Sequence, residues 1–339
     1  IWIVLMSAAL ATPVLHRNRL VALILTGVVG LLIAPLFAHF SAPDLALTQV
    51  TVEVVTVLLM LLALTFLPTA TPRESTPSHR LRDVLLAGAA GISAGGLAFS
   101  MLTRTAAFDP ISAFHLAQSK PGAGGTNAVN TIIVDFRGYD TFGEIIVLSI
   151  AALVIFAMSE ALLSSSAVSR RLGNLPRRME SGDRHPMMPV VVTRLLLPMA
   201  MMVGTFLYLR GHNLPGGGFV AGLVFAIAYL LQYLASGYEW SHARQRFDHH
   251  GLIGAGVGVA LLAGVGAWAF GLPFLTSGYT YVHLPPLEEF ELATAAIFDL
   301  GVFLCVLGAV LLALASLARL ALKTGETSNT GAFDLEEPN

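Results

Sequence analysis

The sequence has few cysteines and few charges, and each scarcity excludes a class of protein. The chain of 339 residues has one cysteine, Cys305, so it cannot form an internal disulfide. Charged residues make up 12% of the chain and hydrophobic residues 55%, a balance too apolar for a soluble protein of this length. The formal net charge of -2 gives no basis for binding nucleic acid. The composition therefore predicts an all-α, polytopic integral membrane protein.

Motifs for catalysis and for cofactors are also missing from the sequence. The ten histidines have no metal-ligand spacing, and the densest pair, His249 and His250, points to different faces of a helix. No Lys-Ser/Thr pair follows the glycines at 216–218, which excludes a Walker-type nucleotide site. No nucleophile–base motif occurs either. We therefore expect no enzyme activity, no cofactor and no fixed metal ion.

Long apolar runs are abundant. A run of about 20 apolar residues can cross a membrane as a helix. Nine candidate runs lie near 1–15, 19–40, 43–67, 82–102, 142–163, 189–209, 216–236, 250–270 and 292–318, the first of them truncated. The chain begins at Ile1 inside the first run, without the charged stretch that starts a signal peptide. We therefore expect it to be the carboxy-terminal piece of something larger.

The positive charges are distributed unevenly between the two sides of these spans. With the loop at 16–18 placed in the cytoplasm, 15 of the 19 Lys and Arg residues lie on the cytoplasmic side. The four on the other side are Arg104, Lys120, Arg137 and Arg210. Because loops rich in Lys and Arg stay in the cytoplasm, the bias predicts an outside N-terminus and a cytoplasmic C-terminus.

A basic, proline-containing segment divides the chain. Residues 169–188 separate a first block, 1–168, from a second block of four predicted helices, 189–322. We interpret 169–188 as a cytoplasmic linker between two units that could be separate proteins, and an ordinary loop is the alternative. The polar, acidic residues 323–339 predict a disordered tail.

Glu53 lies near the middle of the third apolar run, LTQVTVEVVTVLLMLLALTFL. Desolvation disfavours the charged form of a carboxyl group, so an acid at this depth usually faces protein or a wet cavity. Gln49, Glu53 and Thr56 share one helical face, and Asp44 lies nearer the outer end of the same span. This polar stripe favours a proton or cation path. The alternative is hydrogen bonding that holds two helices together.

A second group of acids precedes the fifth apolar run. Asp140 and Glu144 are one helical turn apart, and Asp135 and Arg137 come just before them. Two nearby carboxylates repel each other, while a neighbouring arginine opposes that repulsion. We expect Glu144 to be partly desolvated and to act in ion transfer together with Asp140. Asp135 is expected to be a solvated charge on an interfacial helix.

Two further candidates lie in the second block. Pro215 and three glycines favour a structural turn in the segment LRGHNLPGGGFVAGL, where His212 is a candidate proton relay because histidine titrates near neutral pH. Asp299 is the single charge between residues 293 and 318. It could belong to an ion path or form a buried hydrogen bond to a neighbouring helix.

These stretches resemble a known family. Mrp-type multi-subunit cation/proton antiporters have an A-type subunit whose carboxy-terminal part is similar to PDLALTQVTVEVVTVLLMLLALTFLP and GGTNAVNTIIVDFRGYDTFGEIIVLSIAAL. Their B-type subunit is similar to TRLLLPMAMMVGTFLYLRGHNLPGGGFVAGLVFAIAYLLQYLASG and FDLGVFLCVLGAV. The first block also resembles membrane-arm subunits of respiratory complex I and of membrane-bound hydrogenases.

The resemblance implies one component of a complex in the inner membrane of a bacterium that exports Na+ in exchange for H+. Its partners would be the other subunits of the complex and membrane lipid. It also implies that Glu53 and Glu144 match acids of the ion path, where oxygen ligands would suit a transient Na+. Two alternatives stay open. One is a structural scaffold that conducts no ion, and the other is a membrane-arm component of a complex I-like or hydrogenase-like machine.

Overall fold

The protein is described by a computed structural model that covers residues 1–64, 76–105, 107–165, 187–237, 240–241, 248–283 and 289–333. The linker predicted at 169–188 lies outside the described residues, except for its last two positions. Those two positions already belong to the first helix of the second block.

Helices make up the first block. Its elements are α1 (Trp2–Leu15), α2 (Arg19–His39), α3 (Pro43–Leu64), α4 (Pro77–Thr103), α5 (Ser112–Ala123), α6 (Ala128–Thr131), a π-helical turn (Ile132–Phe136) and α7 (Gly138–Ser164).

The second block adds α8 (Met187–Arg210), α9 (Gly218–Ser236), α10 (His249–Gly266), a 3-10 turn (Ala267–Phe270), β1 (Tyr279–His283), β2 (Glu289–Ala293) and α11 (Thr294–Phe333).

The lengths of these helices confirm the predicted fold class. In the described part of the chain, eight helices are long and apolar enough to cross a membrane, and α1 is apolar but shorter, at 14 residues. They coincide with the nine predicted runs, including the truncated first one. The chain is therefore an all-α, polytopic membrane protein.

Two local features differ from the sequence-based expectation. A two-stranded antiparallel hairpin, with Tyr279 opposite Ala293, joins α10 to α11. The alternating aromatic and β-branched residues of YTYVH suit a strand. In addition, α11 extends to Phe333, beyond the end of the last predicted apolar run at residue 318.

The core of the molecule lies around α9 and α11, the two most buried spans. Both blocks contribute to it, because α3 packs against α9 and α7 packs against α11. The backbones of α10 and α11 approach closely, and a Cβ added at Gly256 would lie 2.7 Å from the carbonyl oxygen of Gly301. Small residues allow such contacts between membrane helices. By contrast, α4 has no buried residue in this chain.

Candidate functional site

Several connections between helices meet at one end of the molecule. The Asp44 carboxylate, at the start of α3, is buried and accepts a hydrogen bond from the backbone N–H of Gly216 at 3.0 Å. The hydroxyl of Tyr279, in the hairpin, donates to the carbonyl oxygen of Pro121 at 3.0 Å. We use the name seam for the region where the two blocks meet. It consists of Asp44, residues 123–135 and the glycine-rich turn at 211–217.

Asn127 holds the seam together with one side chain. Its Nδ2 donates to Asp44 Oδ1 at 3.3 Å and to the carbonyl oxygens of Gly211 and Leu214 at 3.1 Å each. Its Oδ1 accepts the backbone N–H of Asn130, which caps the N-terminus of α6. One amide therefore connects α3, α6 and the turn between α8 and α9. Removing it would take a donor from the buried carbonyl oxygen of Gly211 and from the part-buried carbonyl oxygen of Leu214.

Asp299 links α11 to the start of α9. Its Oδ2 accepts the backbone N–H of Gly218 at 2.6 Å, at the N-terminal end of α9. A carboxylate at this position satisfies one of the open N–H groups and complements the helix dipole. Asp299 also lies within electrostatic reach of His212 and Asp135. It therefore fits both interpretations of the sequence, as a hydrogen-bonded helix contact and as a member of an acidic cluster.

The position of Asp135 corrects the expectation that it is solvated. The π-helical turn carries Asp135 inward, where its side chain is 3% exposed and its Oδ2 lies 3.9 Å from Nδ1 of His212. Sequence reasoning missed it because an inserted π turn changes which face of the helix a residue occupies. The apolar neighbours Val134 and Phe136 were the available signal of a buried position.

A cavity of about 1300 Å³ reaches this cluster from the side of the hairpin. Its lining includes Asn130, His212 and Asp299, together with Lys120 and residues of the 3-10 turn and the hairpin. The ionisable groups Lys120, His212 and Asp299 therefore share the surface of one cavity.

Glu53 lies elsewhere, against α2. The side chain is half-buried, and a Cβ added at Gly30 would collide with its carboxyl group. Gln49, one turn earlier on α3, donates its Nε2 to the carbonyl oxygen of Gly30 at 3.3 Å. Thr56, in contrast, is exposed. Glu53 lies nine residues after Asp44, a rise of about 14 Å along α3, so it is well separated from the seam.

Asp140 and Glu144 lie on the surface of this chain. Asp140 Oδ2 pairs with Arg137 Nη2 at 2.7 Å, and these side chains are 53% and 64% exposed. Glu144 is exposed one turn later on α7. It begins an exposed face that continues with Val147, Val154 and Met158. The structure therefore places Asp44 and His212 in the seam, with Asp299 within electrostatic reach of His212, and leaves Asp140 and Glu144 facing outward.

Three family models match successive parts of the chain. Residues 4–69 match the D subunit of MBH and residues 78–166 match the E subunit of MBH. Residues 188–312 match a domain related to the MnhB subunit of Na+/H+ antiporter. The change from the MBH models to the antiporter model falls in the predicted linker.

Curated relatives divide in the same way. A probable K(+)/H(+) antiporter A/B subunit of Rhizobium meliloti is 40% identical over 90% of this chain, which spans 32% of that relative's length. The Na(+)/H(+) antiporter A subunit of Alkalihalophilus pseudofirmus is 43% identical over 47% of the chain and 20% of its own length. The Na(+)/H(+) antiporter B subunit of Bacillus subtilis is 43% identical over 34% of the chain and 81% of its own length.

A solved structure has the same fold. The Mrp complex from Dietzia sp. DQ12-45-1b includes a chain that is 32% identical and superimposes with a TM-score of 0.80, covering 94% of this chain and 34% of that one. The chain thus spans about a third of these longer relatives, and nearly all of a B-type subunit is contained in its second block. The chain belongs to the family of Mrp-type multi-subunit cation/proton antiporters, in which it joins the carboxy-terminal part of an A-type subunit to a B-type subunit.

Proposed function

We propose that this chain acts in a multi-subunit antiporter that exports Na+ in exchange for H+ and that it supplies carboxylates to the ion path. The names of the relatives support this activity. The observation that carries the proposal is Glu53, an acid near the middle of α3 whose carboxyl group lies against the glycine face of α2. Intramembrane acids of this kind commonly mark ion and proton routes.

Glu53 can serve both transported ions in turn. When it is protonated it is neutral, and when it is ionised its oxygens can pair with a hard cation such as Na+. Exchange of the proton for the cation keeps the net charge of the site unchanged, so neither state leaves an uncompensated charge in the membrane. The hydrogen bond from Gln49 to Gly30 keeps α2 and α3 together beside this group.

The test is Glu53→Gln in the assembled complex. Na+-dependent proton movement should be lost in inverted membrane vesicles, because the amide cannot take up and release a proton. Glu160→Gln is the matched control, since Glu160 is an exposed acid that pairs with Arg319 at 3.5 Å on the surface. Normal antiport in Glu53→Gln, with normal assembly, would reduce Glu53 to a structural contact.

The choice of cation needs its own measurement, because one relative is named for K+ and others for Na+. We propose Na+ as the exported ion. Proton movement in the same vesicles should then respond to Na+ at lower concentration than to K+, and Li+ should be compared alongside. A stronger response to K+ would contradict the assignment while leaving the antiport mechanism in place.

The proposed setting is the inner membrane of a bacterium, within a complex of several subunits. In this chain α4 exposes large apolar side chains such as Ile92, Phe99 and Leu102. Membrane lipid and other subunits would cover these surfaces. The 15-to-4 distribution of Lys and Arg supports a cytoplasmic C-terminus and an N-terminus of this segment on the outside.

A membrane-arm component of a redox machine is the second candidate, because the first block matches MBH family models. The B-type match of the second block favours the antiporter. Antiport driven by an imposed proton gradient in the purified, reconstituted complex, with no electron donor present, supports the antiporter. A strict requirement for an electron donor would favour the redox machine.

A further inference from the structure

The seam contains an ionisable pair drawn from both blocks. Asp135 comes from the π-helical turn of the first block, and His212 comes from the glycine-rich turn of the second. Their side chains are 3% and 15% exposed, and Oδ2 and Nδ1 are 3.9 Å apart. A π-helical turn is a rare geometry that occurs frequently at functional sites.

One nitrogen of the His212 ring is fixed as a donor. Nε2 lies 3.0 Å from the carbonyl oxygen of Ala123, and a carbonyl oxygen can only accept. Nε2 therefore keeps its proton, and Nδ1 of the neutral ring is an unprotonated acceptor on the side of Asp135. An unprotonated nitrogen and an ionised carboxylate repel each other because both present lone pairs. One proton placed between them, on Nδ1 or on the Asp135 carboxyl group, would remove this repulsion.

Other charged groups surround the pair. Asp299 on α11 lies within electrostatic reach of both residues. Arg210, at the end of α8, donates its Nε to the carbonyl oxygen of Pro215 at 2.7 Å and interacts with Asp44. Lys120 lines the same cavity as His212. The charged groups beside the pair therefore include one acid, Asp299, and one base, Lys120, which lines the same cavity as His212.

We propose that Asp135 and His212 exchange a proton across the seam and thereby connect the two blocks in the proton path. This inference rests on the proposed antiport function. In the exchange, the O–H bond of the Asp135 carboxylic acid breaks as an N–H bond forms at Nδ1 of His212. The products are a carboxylate and an imidazolium, and the reverse step restores the starting pair. A side-chain movement of about 1 Å brings the two atoms to hydrogen-bond distance.

The cavity beside the pair provides a destination for the proton. His212 and Asp299 both line it, so a rotation of the imidazolium ring away from Asp135 would let it release its Nδ1 proton to water there or to the Asp299 carboxylate. Asp135, which does not line this cavity, takes up the next proton from the part of the path in the first block, so over one cycle the pair passes on one proton and receives one. The exchange therefore needs the two side chains, an acceptor in the cavity and a proton donor to Asp135 in the first block.

The experiment uses Asp135→Asn, His212→Gln and the double variant in the complete complex. Both substitutions keep hydrogen-bonding groups of similar size, and the glutamine amide can still donate to Ala123. Each single variant should lose antiport at least about tenfold, at the lower edge of what a positioned proton-transfer group contributes. Its pH profile should also change. The double variant should lose little more, because residues that act as a unit are not additive.

Thr126→Val is the matched control for seam integrity. Thr126 ties the same two blocks through hydrogen bonds to Asn213, at 2.9 Å from the threonine hydroxyl to the carbonyl oxygen, but it has no titratable group. Assembly of every variant is checked by subunit content of the purified complex. The control should retain both activity and the wild-type pH profile. A loss in Thr126→Val equal to that in Asp135→Asn would show that seam packing, and not proton exchange, is being measured.

An infrared measurement gives a second readout. A carboxyl band that changes between low and high pH in the wild-type complex should disappear in Asp135→Asn and shift in His212→Gln. If the wild type shows no cation-dependent proton movement, the proposed function fails. If the wild type is active and Asp135→Asn matches it in rate and pH profile, this inference alone is overturned.

Discussion

At the scale of single residues, the glycines of α2 determine where the Glu53 carboxyl group can lie. A Cβ at Gly30 would overlap that group, with its Oε1 at 2.8 Å. At Gly27, the nearest atoms to a Cβ would be Val57 Cγ2 at 3.1 Å and Glu53 Oε1 at 3.7 Å. Gly30 is therefore a positioning residue for Glu53, and Gly27 is a neighbour on the same face.

Gly30→Ala should therefore reduce antiport strongly, while Gly27→Ala should have a milder effect. Overpacking costs about 1–3 kcal/mol, and at Gly30 this cost falls on the Glu53 side chain. The measurement is the apparent affinity for Na+ and the maximal rate in vesicles, with thermal stability of the complex as the check on folding. Equal kinetics in the two variants would mean that the carboxyl group can adopt another position without loss.

Glu144 is a second single residue whose role in transport can be tested. It is exposed on this chain, so its surroundings in the membrane come from lipid or from another subunit. We expect Glu144→Gln to reduce transport strongly and Glu53→Gln added to it to cost little more, because acids of one route act as a unit. Glu144→Asp should retain part of the activity. Glu160→Gln is again the control, since both acids are exposed on α7. Independent, multiplicative losses would place the two acids on different routes.

At the scale of helices, Asp299 acts as a cap on a helix other than its own. Asp299→Ala removes the acceptor for the Gly218 N–H, and loss of such a cap costs about 0.5–2 kcal/mol. Asp299→Asn keeps an oxygen acceptor but removes the charge. The alanine variant should therefore lower the melting temperature of the complex more than the asparagine variant. If the charge also serves transport, both should lose antiport, and a fully active Asp299→Asn would restrict the residue to capping.

The helices also show what the sequence could predict. The spans were predictable because each needs only length and apolar composition. The acids Asp44 and Glu53 in an otherwise apolar span made α3 a candidate for the ion path. The burial of Asp135 had only the apolar residues beside it as a signal, since the face that it occupies depends on an extra residue in one turn. The ties made by Asn127 depend on contacts more than 80 residues apart in sequence. Such tertiary contacts leave no local periodicity to detect.

At the scale of the whole molecule, the two blocks pack against each other through described residues outside the linker. The contacts of α3 with α9 and of α7 with α11 are noncovalent, and so is the seam. We therefore propose that 1–168 and 189–322 are separable subunits. Splitting the gene near Gly182 and expressing both pieces should restore a functional complex. Stable expression of both pieces without assembly would show that the covalent connection is required.

The orientation of the whole molecule gives the last prediction. The connections that meet at the seam lie on the side that the Lys and Arg distribution assigns to the outside. Ser277 lies next to the hairpin on that side, and Ser181 falls in the basic linker on the other. Cysteine introduced at Ser277 should react with an impermeant reagent only from outside, and cysteine at Ser181 only from the cytoplasm. The native Cys305 is fully buried and should remain unlabelled, so it provides an internal control. Labelling of Ser277→Cys from the cytoplasm would show that the orientation is the reverse of the predicted one. The cavity lined by His212 and Asp299 would then open toward the cytoplasmic face.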